Sequence, residues 1–286
     1  MYWLIILSLS MLPFSAVASQ TTIKFPSVAN NVAYSKVAAL PFTAADENIS
    51  YGADPLQYAL LWRANKVTKV KNLENKQAYP LVILIHGGCW LSAYDIQHTY
   101  ALSTGLAQAG FNVWSLEYRR SGDIGGGWPG TYDDVKAGIL ASARYNNGEF
   151  ELTKSVLVGH SAGGHLALLA GGTIKPLKGV IGLAAITDIA EYAVGTNSCQ
   201  QVTKNFMHGM PKDRPAEYNM ANPSQQPLHV NTSILQGDKD NIVPAIKLDK
   251  LETKVIMLEG VGHFDWIHPG SEAFNTLTQQ LNGLAK

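Results

Sequence analysis

The chain has 286 residues, 46% of them apolar, with 22 Lys plus Arg against 22 Asp plus Glu and a formal net charge of zero. That length and content can bury a full core as one domain. Charge balance removes the bulk attraction that draws proteins to nucleic acid or anionic membrane, and it points to small neutral or weakly charged partners.

The first twenty residues carry no charged side chain, and residues 2–12 form an apolar run followed by Pro13 and the small-x-small pattern Ala16-Val17-Ala18. Residues 1–18 are therefore expected to be a signal peptide cleaved after Ala18, leaving residues 19–286 as a secreted or periplasmic domain. The run is shorter than the about 20 residues that span a bilayer. No stable membrane association is expected.

Beyond it, strand and helix patterns alternate. Residues 58–64 and 81–85 read as strands separated by a polar turn at 66–77. A helix is expected at 95–109, a strand at 111–118, a glycine-rich loop at 121–130 and a helix at 132–145. Further strands are expected at 155–158, 179–185, 233–236 and 254–258, and a closing helix at 271–284. Strands separated by helices require crossovers, so the fold class is α/β, with a mostly parallel central sheet covered by helices on both faces. Its active loops belong at the carboxyl ends of the strands. Residues 187–231 far exceed the usual αβ connection of about 2–6 residues and read as a small cap insertion.

Four segments placed just past strand ends carry chemistry. His86-Gly87-Gly88-Cys89-Trp90 follows the apolar run 81–85. Gly159-His160-Ser161-Ala162-Gly163 lies between a β-branched run and a strong helix former, as in a nucleophile elbow, where glycines keep the strained serine turn clear of the adjoining strand and helix. Gly237-Asp238-Lys239-Asp240 opens an acidic loop that ends at Val243-Pro244, and Gly262-His263-Phe264 follows the last strand. Ser161 is the expected nucleophile, His263 its base, and an aspartate of the acidic loop, Asp238 or Asp240, the acid that orients the imidazole. The backbone N–H groups of Gly88 and Ala162, with Gly87 and Cys89 beside them, form the expected oxyanion hole.

These segments, together with Tyr51-Gly52-Ala53-Asp54 and Gln57-Tyr58-Ala59-Leu60, resemble the α/β-hydrolase superfamily. Within it they resemble the esterase group related to kynurenine formamidase and the bacterial feruloyl-esterase-like proteins. The resemblance implies the α/β-hydrolase fold, the order Ser, Asp, His along the chain, and the Gly-x-x-Asp spacing that selects Asp240 over Asp238. Many related lipases have a third glycine where Cys89 stands. The expected function is hydrolysis of carboxylic esters of small to medium acyl groups through an acyl-enzyme, without metal or organic cofactor, the partner being a small-molecule ester. An amide-bond hydrolase is the alternative, and a non-catalytic binding protein on the same scaffold is the third class.

Some assignments stay open at this level. Trp90, Phe206, Met207 and Trp266 are candidate substrate-pocket residues, although side chains of these types equally well pack a cap onto its body. His160, directly before the serine, His86 in the glycine loop and His268 compete weakly with His263. Asp134 reads as a capping or loop-bracing residue. The stretch 125–130 matches G-x-G-x-x-G, but it stands too far from its strand, and Pro129 interrupts it. Cys89 and Cys199 allow two readings: a disulfide from the glycine loop to the cap, or two separate buried thiols.

Overall fold

The computed structural model describes residues 22–64, 80–245, 248 and 251–285. The expected signal peptide and the turn at 66–77 lie outside the described residues.

A short helix α1 (Tyr34–Ala38) precedes β1 (Glu47–Ser50), β2 (Tyr58–Trp62) and β3 (Leu81–Ile85). Then follow α2 (Tyr100–Gln108), β4 (Asn112–Leu116), α3 (Gly130–Arg144), β5 (Ser155–His160), α4 (Ala162–Thr173) and β6 (Gly179–Leu183). The insertion contributes α5 (Ile189–Tyr192), α6 (Ser198–Phe206) and α7 (Pro215–Met220) before β7 (Thr232–Gly237), β8 (Lys254–Leu258) and α8 (Glu272–Ala285). The eight strands form one sheet in the order β1-β2-β4-β3-β5-β6-β7-β8. β1 and β2 run antiparallel at one end, and every pairing from β3 with β4 through β7 with β8 is parallel.

The strands expected from sequence are present, with ends shifted by a few residues. β1 and α1 escaped the sequence reading for a physical reason. β1 is a polar edge strand, Glu-Asn-Ile-Ser, that exposes most of its side chains, and α1 buries only Val37. Neither carries the apolar periodicity that marks a core-facing element.

Alternation along the central strands divides the core in two. Leu81, Ile83 and Ile85 of β3 pack with Trp114, Leu116 and Leu157 on one face, together with residues of α3, α4 and the insertion. Val82 and Leu84 pack with Val113, Val156, Val158 and Ile181 on the other, against α2 and α8. A parallel strand covered on both faces has no solvent side, which is why β3 reads as five apolar residues in a row. α4 is apolar all round for the same reason, and every residue from Ala162 to Gly171 is buried.

The insertion is fastened to the body by its large side chains. Phe206 stacks on Trp90 with ring centroids 4.7 Å apart, the Tyr192 hydroxyl donates to the Ile242 carbonyl, and His165 of α4 contacts the Ala221 carbonyl at 2.6 Å. Trp90, Phe206 and Met207 are fully buried in this core. Trp266 is fully buried in the cluster on the opposite face of the sheet. The expectation that these four line a substrate pocket is therefore corrected: each spends its apolar surface on packing.

Candidate active site

Ser161 occupies the tight turn between β5 and α4, with φ +58° and ψ −121°. That is a strained conformation for a residue with a Cβ, and it persists only where the surroundings over-determine it. Here the Ser161 N–H donates to the Leu183 carbonyl of β6, and its carbonyl accepts from the His165 N–H of α4. The flanking glycines are sterically required. A Cβ on Gly159 would come within 2.2 Å of the Gly163 carbonyl oxygen, and one on Gly163 within 2.2 Å of the His86 carbonyl oxygen.

The glycine loop after β3 lies against this turn, since a Cβ on Gly87 would sit 3.0 Å from the Ser161 Cβ. Gly88, Cys89 and Trp90 all have positive φ, at +108°, +53° and +57°. Three successive residues in that region need external support. Cys89 is disulfide-bonded to Cys199 of α6, with Cα atoms 5.4 Å apart, so the first of the two cysteine readings holds. Trp90 is clamped by Phe206 and accepts the Ser121 N–H on its carbonyl. The N–H groups of Gly88, Cys89 and Ala162 have no acceptor among the described residues and remain available to a ligand oxygen.

Beneath the loop lies a buried polar network that sequence reasoning missed. His86 Nδ1 is 2.7 Å from the Gly87 carbonyl, and its Nε2 is 2.9 Å from Glu117. The Tyr118 hydroxyl donates to the His86 carbonyl, and their rings stack. Glu117 also accepts the Ile96 and Tyr118 N–H groups and contacts Arg120. Burial opposes ionisation of Glu117, but His86, Arg120 and the Tyr118 N–H outweigh it and hold its pKa below the usual carboxylate range.

Asp240 and His263 meet at the ends of β7 and β8. His263 Nδ1 lies 2.7 Å from Asp240 Oδ2. Asp240 Oδ1 accepts the Ile242 and Val243 N–H groups at 2.9 and 2.8 Å, and Oδ2 also accepts from Gln236 Nε2 at 3.3 Å. A carboxylate so surrounded by donors keeps Nδ1 of the imidazole as the protonated nitrogen and leaves Nε2 as the basic one. Asp238, the competing acid, instead accepts the Gly260 N–H and pairs with Lys239. His160 contacts the His263 carbonyl through Nε2 at 3.0 Å, and the two rings are 4.6 Å apart. Burial first, and then the neighbouring His263, push the His160 pKa well below that of an ordinary imidazole. His268 lies outside this cluster, its Nδ1 accepting the Gly270 N–H. Asp134 braces a loop, binding Arg119 through backbone and guanidinium and also binding Gln57.

Ser161, Asp240 and His263 are 2%, 6% and 6% exposed, so all three are buried. Grooves lie elsewhere: one of about 630 Å³ beside Trp128, Tyr132 and Arg214, and one of about 520 Å³ beside Glu191 and Tyr218. Neither is lined by Ser161, Asp240 or His263.

Comparison with known proteins agrees with this architecture. Residues 70–255, well over half of the chain, match the BD-FAE family. A segment of 125 residues is 35% identical to Esterase LipC of Mycobacterium tuberculosis, covering 43% of this chain and 28% of that protein's length. Esterase B of Lactobacillus rhamnosis superposes with a TM-score of 0.68 at 19% identity, covering 87% of this chain and 90% of that one. A truncated carbohydrate esterase from gut microbiota gives 0.65 at 20% identity over 92% and 99% of the two chains. An esterase of Pyrobaculum calidifontis gives 0.65 at 17% identity over 88% of each. The strand order, the strained serine between β5 and α4 and the matched span of 70–255 together mean that the chain is an α/β-hydrolase belonging to the BD-FAE family.

Proposed function

We propose that the protein is a serine esterase that hydrolyses carboxylic esters of small to medium acyl groups, with Ser161 as nucleophile, His263 as general base and acid, and Asp240 as the group that orients His263. The observations that carry the reading are a strained, buried serine whose chain neighbour His160 packs against His263, the bond of His263 to Asp240, and the glycine loop that lies against Ser161 with backbone N–H groups unpaired among the described residues. A serine hydroxyl is a weak nucleophile until a base takes its proton during attack. His263 Nε2 takes that proton as Ser161 Oγ bonds to the ester carbon, and the resulting imidazolium is stabilised by Asp240. The tetrahedral oxyanion accepts hydrogen bonds from the N–H groups of Gly88, Cys89 and Ala162, each such donor contributing about 3–4 kcal/mol in comparable sites. His263 then protonates the leaving alkoxide, and water, activated by the same imidazole, releases the acid from the acyl-enzyme. The near-complete burial of Ser161 supports small acyl groups.

Export to an oxidising compartment is part of the same proposal. It is supported by the apolar, uncharged residues at 2–12, the small-x-small pattern at 16–18 and the Cys89–Cys199 bond, which such a compartment preserves.

Initial rates on para-nitrophenyl acetate, butyrate and octanoate and on N-formylaniline, with the wild type and Ser161→Ala, test the activity. Ester turnover should fall in the variant by about 10⁴-fold or more. Formamide turnover above ester turnover would replace the esterase reading with an amidase, and turnover that survives Ser161→Ala would remove the nucleophile assignment.

A further inference from the structure

The segment ahead of β1 packs against the loop that carries His263, and none of it falls within the span matched to the family. It is pinned there by Asp265, a fully buried carboxylate two residues after His263. Asp265 Oδ1 accepts the Asn31 N–H, and Oδ2 accepts the Val32 and Gly262 N–H groups, all at 3.0 Å. The Val28 N–H adds a bond to the Gly270 carbonyl, and Asn30 Nδ2 donates to the Glu259 carbonyl. One side chain thus ties the strap at residues 31–32 to the loop that carries His263. Charge-assisted bonds to backbone N–H groups are the stronger kind.

The strap delivers Tyr34, the first residue of α1. Its ring lies 5.3 Å from Phe264 and 6.0 Å from Tyr94, centroid to centroid. Phe264 packs edge-on against His263 at 5.0 Å. Tyr94 lies over the glycine loop, where a Cβ on Gly88 would meet its Cβ at 2.5 Å. The three rings therefore run in contact from the glycine loop to His263. Tyr34 and Tyr94 remain 36% and 38% exposed. His98 packs against Tyr34 with ring centroids 6.2 Å apart, and burial drives its pKa down to about 3.

We infer that Tyr34, Tyr94 and Phe264 form a binding subsite for an aromatic ring on the alcohol portion of the ester. The inference rests on the proposed roles of Ser161 and His263. During reaction the carbonyl oxygen lies at the Gly88 and Ala162 N–H groups, and the leaving oxygen must lie within reach of His263, which protonates it. A group attached to that leaving oxygen emerges beside His263, against whose ring Phe264, the first of the three rings, packs. Aromatic faces and edges attract a further ring beyond simple area burial.

The test compares kcat/KM for benzyl acetate, cyclohexylmethyl acetate, ethyl acetate and ethyl phenylacetate in the full chain, its Tyr34→Ala, Tyr34→Phe and Tyr94→Leu variants, and Ser161→Ala. The benzyl-to-ethyl acetate ratio should fall about tenfold in Tyr34→Ala, mainly through KM, because a ring contact is made in ground and transition states alike. Tyr34→Phe should keep the ratio, and Tyr94→Leu, on a different element, should lower it. Equal losses on benzyl and ethyl acetate would overturn the subsite. A loss on cyclohexylmethyl acetate as large as that on benzyl acetate would overturn its aromatic character, and a larger loss on ethyl phenylacetate would overturn its place on the alcohol side. Hydrolysis that persists in Ser161→Ala would instead overturn the underlying catalytic assignment, so the two failures are distinguishable.

Discussion

At the scale of single residues, the hydrogen bonds of Asp240 are unusually diagnostic. Its Oδ1 is occupied by two backbone donors, so Oδ2 is the atom committed to His263. Asp240→Asn keeps the shape and the two backbone bonds but turns an NH₂ group toward His263 Nδ1. The imidazole then moves its proton to Nε2 and faces Ser161 as a donor rather than a base. A loss of about 10⁴-fold in kcat is expected, the size seen where a triad carboxylate is replaced in this way. A loss below tenfold in initial rates on a para-nitrophenyl ester would show that Asp240 does not set the tautomer. His160 is a positioning residue by the same geometry. It contacts the carbonyl of His263 while burial keeps its own ring neutral, so on the proposed mechanism no second positive charge stands beside His263.

At the scale of elements, the disulfide joins the strained glycine loop to α6 and closes a loop of 110 residues in sequence separation. Chain entropy for a loop of this order contributes about 4.7 kcal/mol, and removing a native bridge typically costs about 2–5 kcal/mol. Cys199→Ser should therefore lower the thermal midpoint by about 5–15 °C for a chain of this size. It should also depress kcat, because Cys89 at φ +53° loses a tether on the loop proposed to bind the oxyanion. Scanning calorimetry with parallel rate measurements checks both. A drop in stability with kcat unchanged would confine the bridge to a structural part. The insertion shows the same coupling of packing and site: Phe206 and Trp90 are spent on each other, and that stack supports the loop from behind.

At the scale of the whole molecule, buried histidines make stability depend on acid. His98 and His165 have pKa values lowered to about 3 and about 4, in both cases chiefly by burial. The unfolded chain protonates such rings near pH 6.5, so between that pH and about 4 the unfolded state binds more protons than the folded one. Stability must fall as pH drops through this window. Glu117, whose pKa is depressed by His86 and Arg120 against its own burial, works in the same direction at lower pH. Its contribution is present above its unfolded value and is lost as pH falls through the folded one. Thermal midpoints measured from pH 8 to pH 4 should decline from about pH 6.5 downward. A flat profile across that range would mean that the rings are not held neutral. His165→Phe, which removes one of these groups together with its bond to the Ala221 carbonyl, should flatten the upper part of the curve.

Much of this protein was legible without coordinates, because its informative features are local. Uninterrupted apolar runs such as 81–85 and 155–158 announce strands covered on both faces, and the elbow announces itself by glycines whose absent Cβ atoms leave room for neighbouring backbone. Gly-His-Phe and the acidic loop each follow a strand, and in a parallel sheet strand ends converge, while the choice of Asp240 over Asp238 as the partner of His263 came from the family resemblance. Contacts between segments far apart in sequence could not. The polar edge strand β1, the His86–Glu117 network, the bridge from Cys89 to Cys199 and the clamp of Asp265 on residues 31–32 each join groups with no shared periodicity. The burial of Trp90, Phe206, Met207 and Trp266 was equally hidden, since an aromatic side chain looks the same in a sequence whether it lines a recess or fills a core. Sequence by itself determined the core-covered elements and which residue types stand at the strand ends, because both follow from local sterics and side-chain period. Only the tertiary structure decided which buried groups touch, because that depends on crossovers closing in three dimensions.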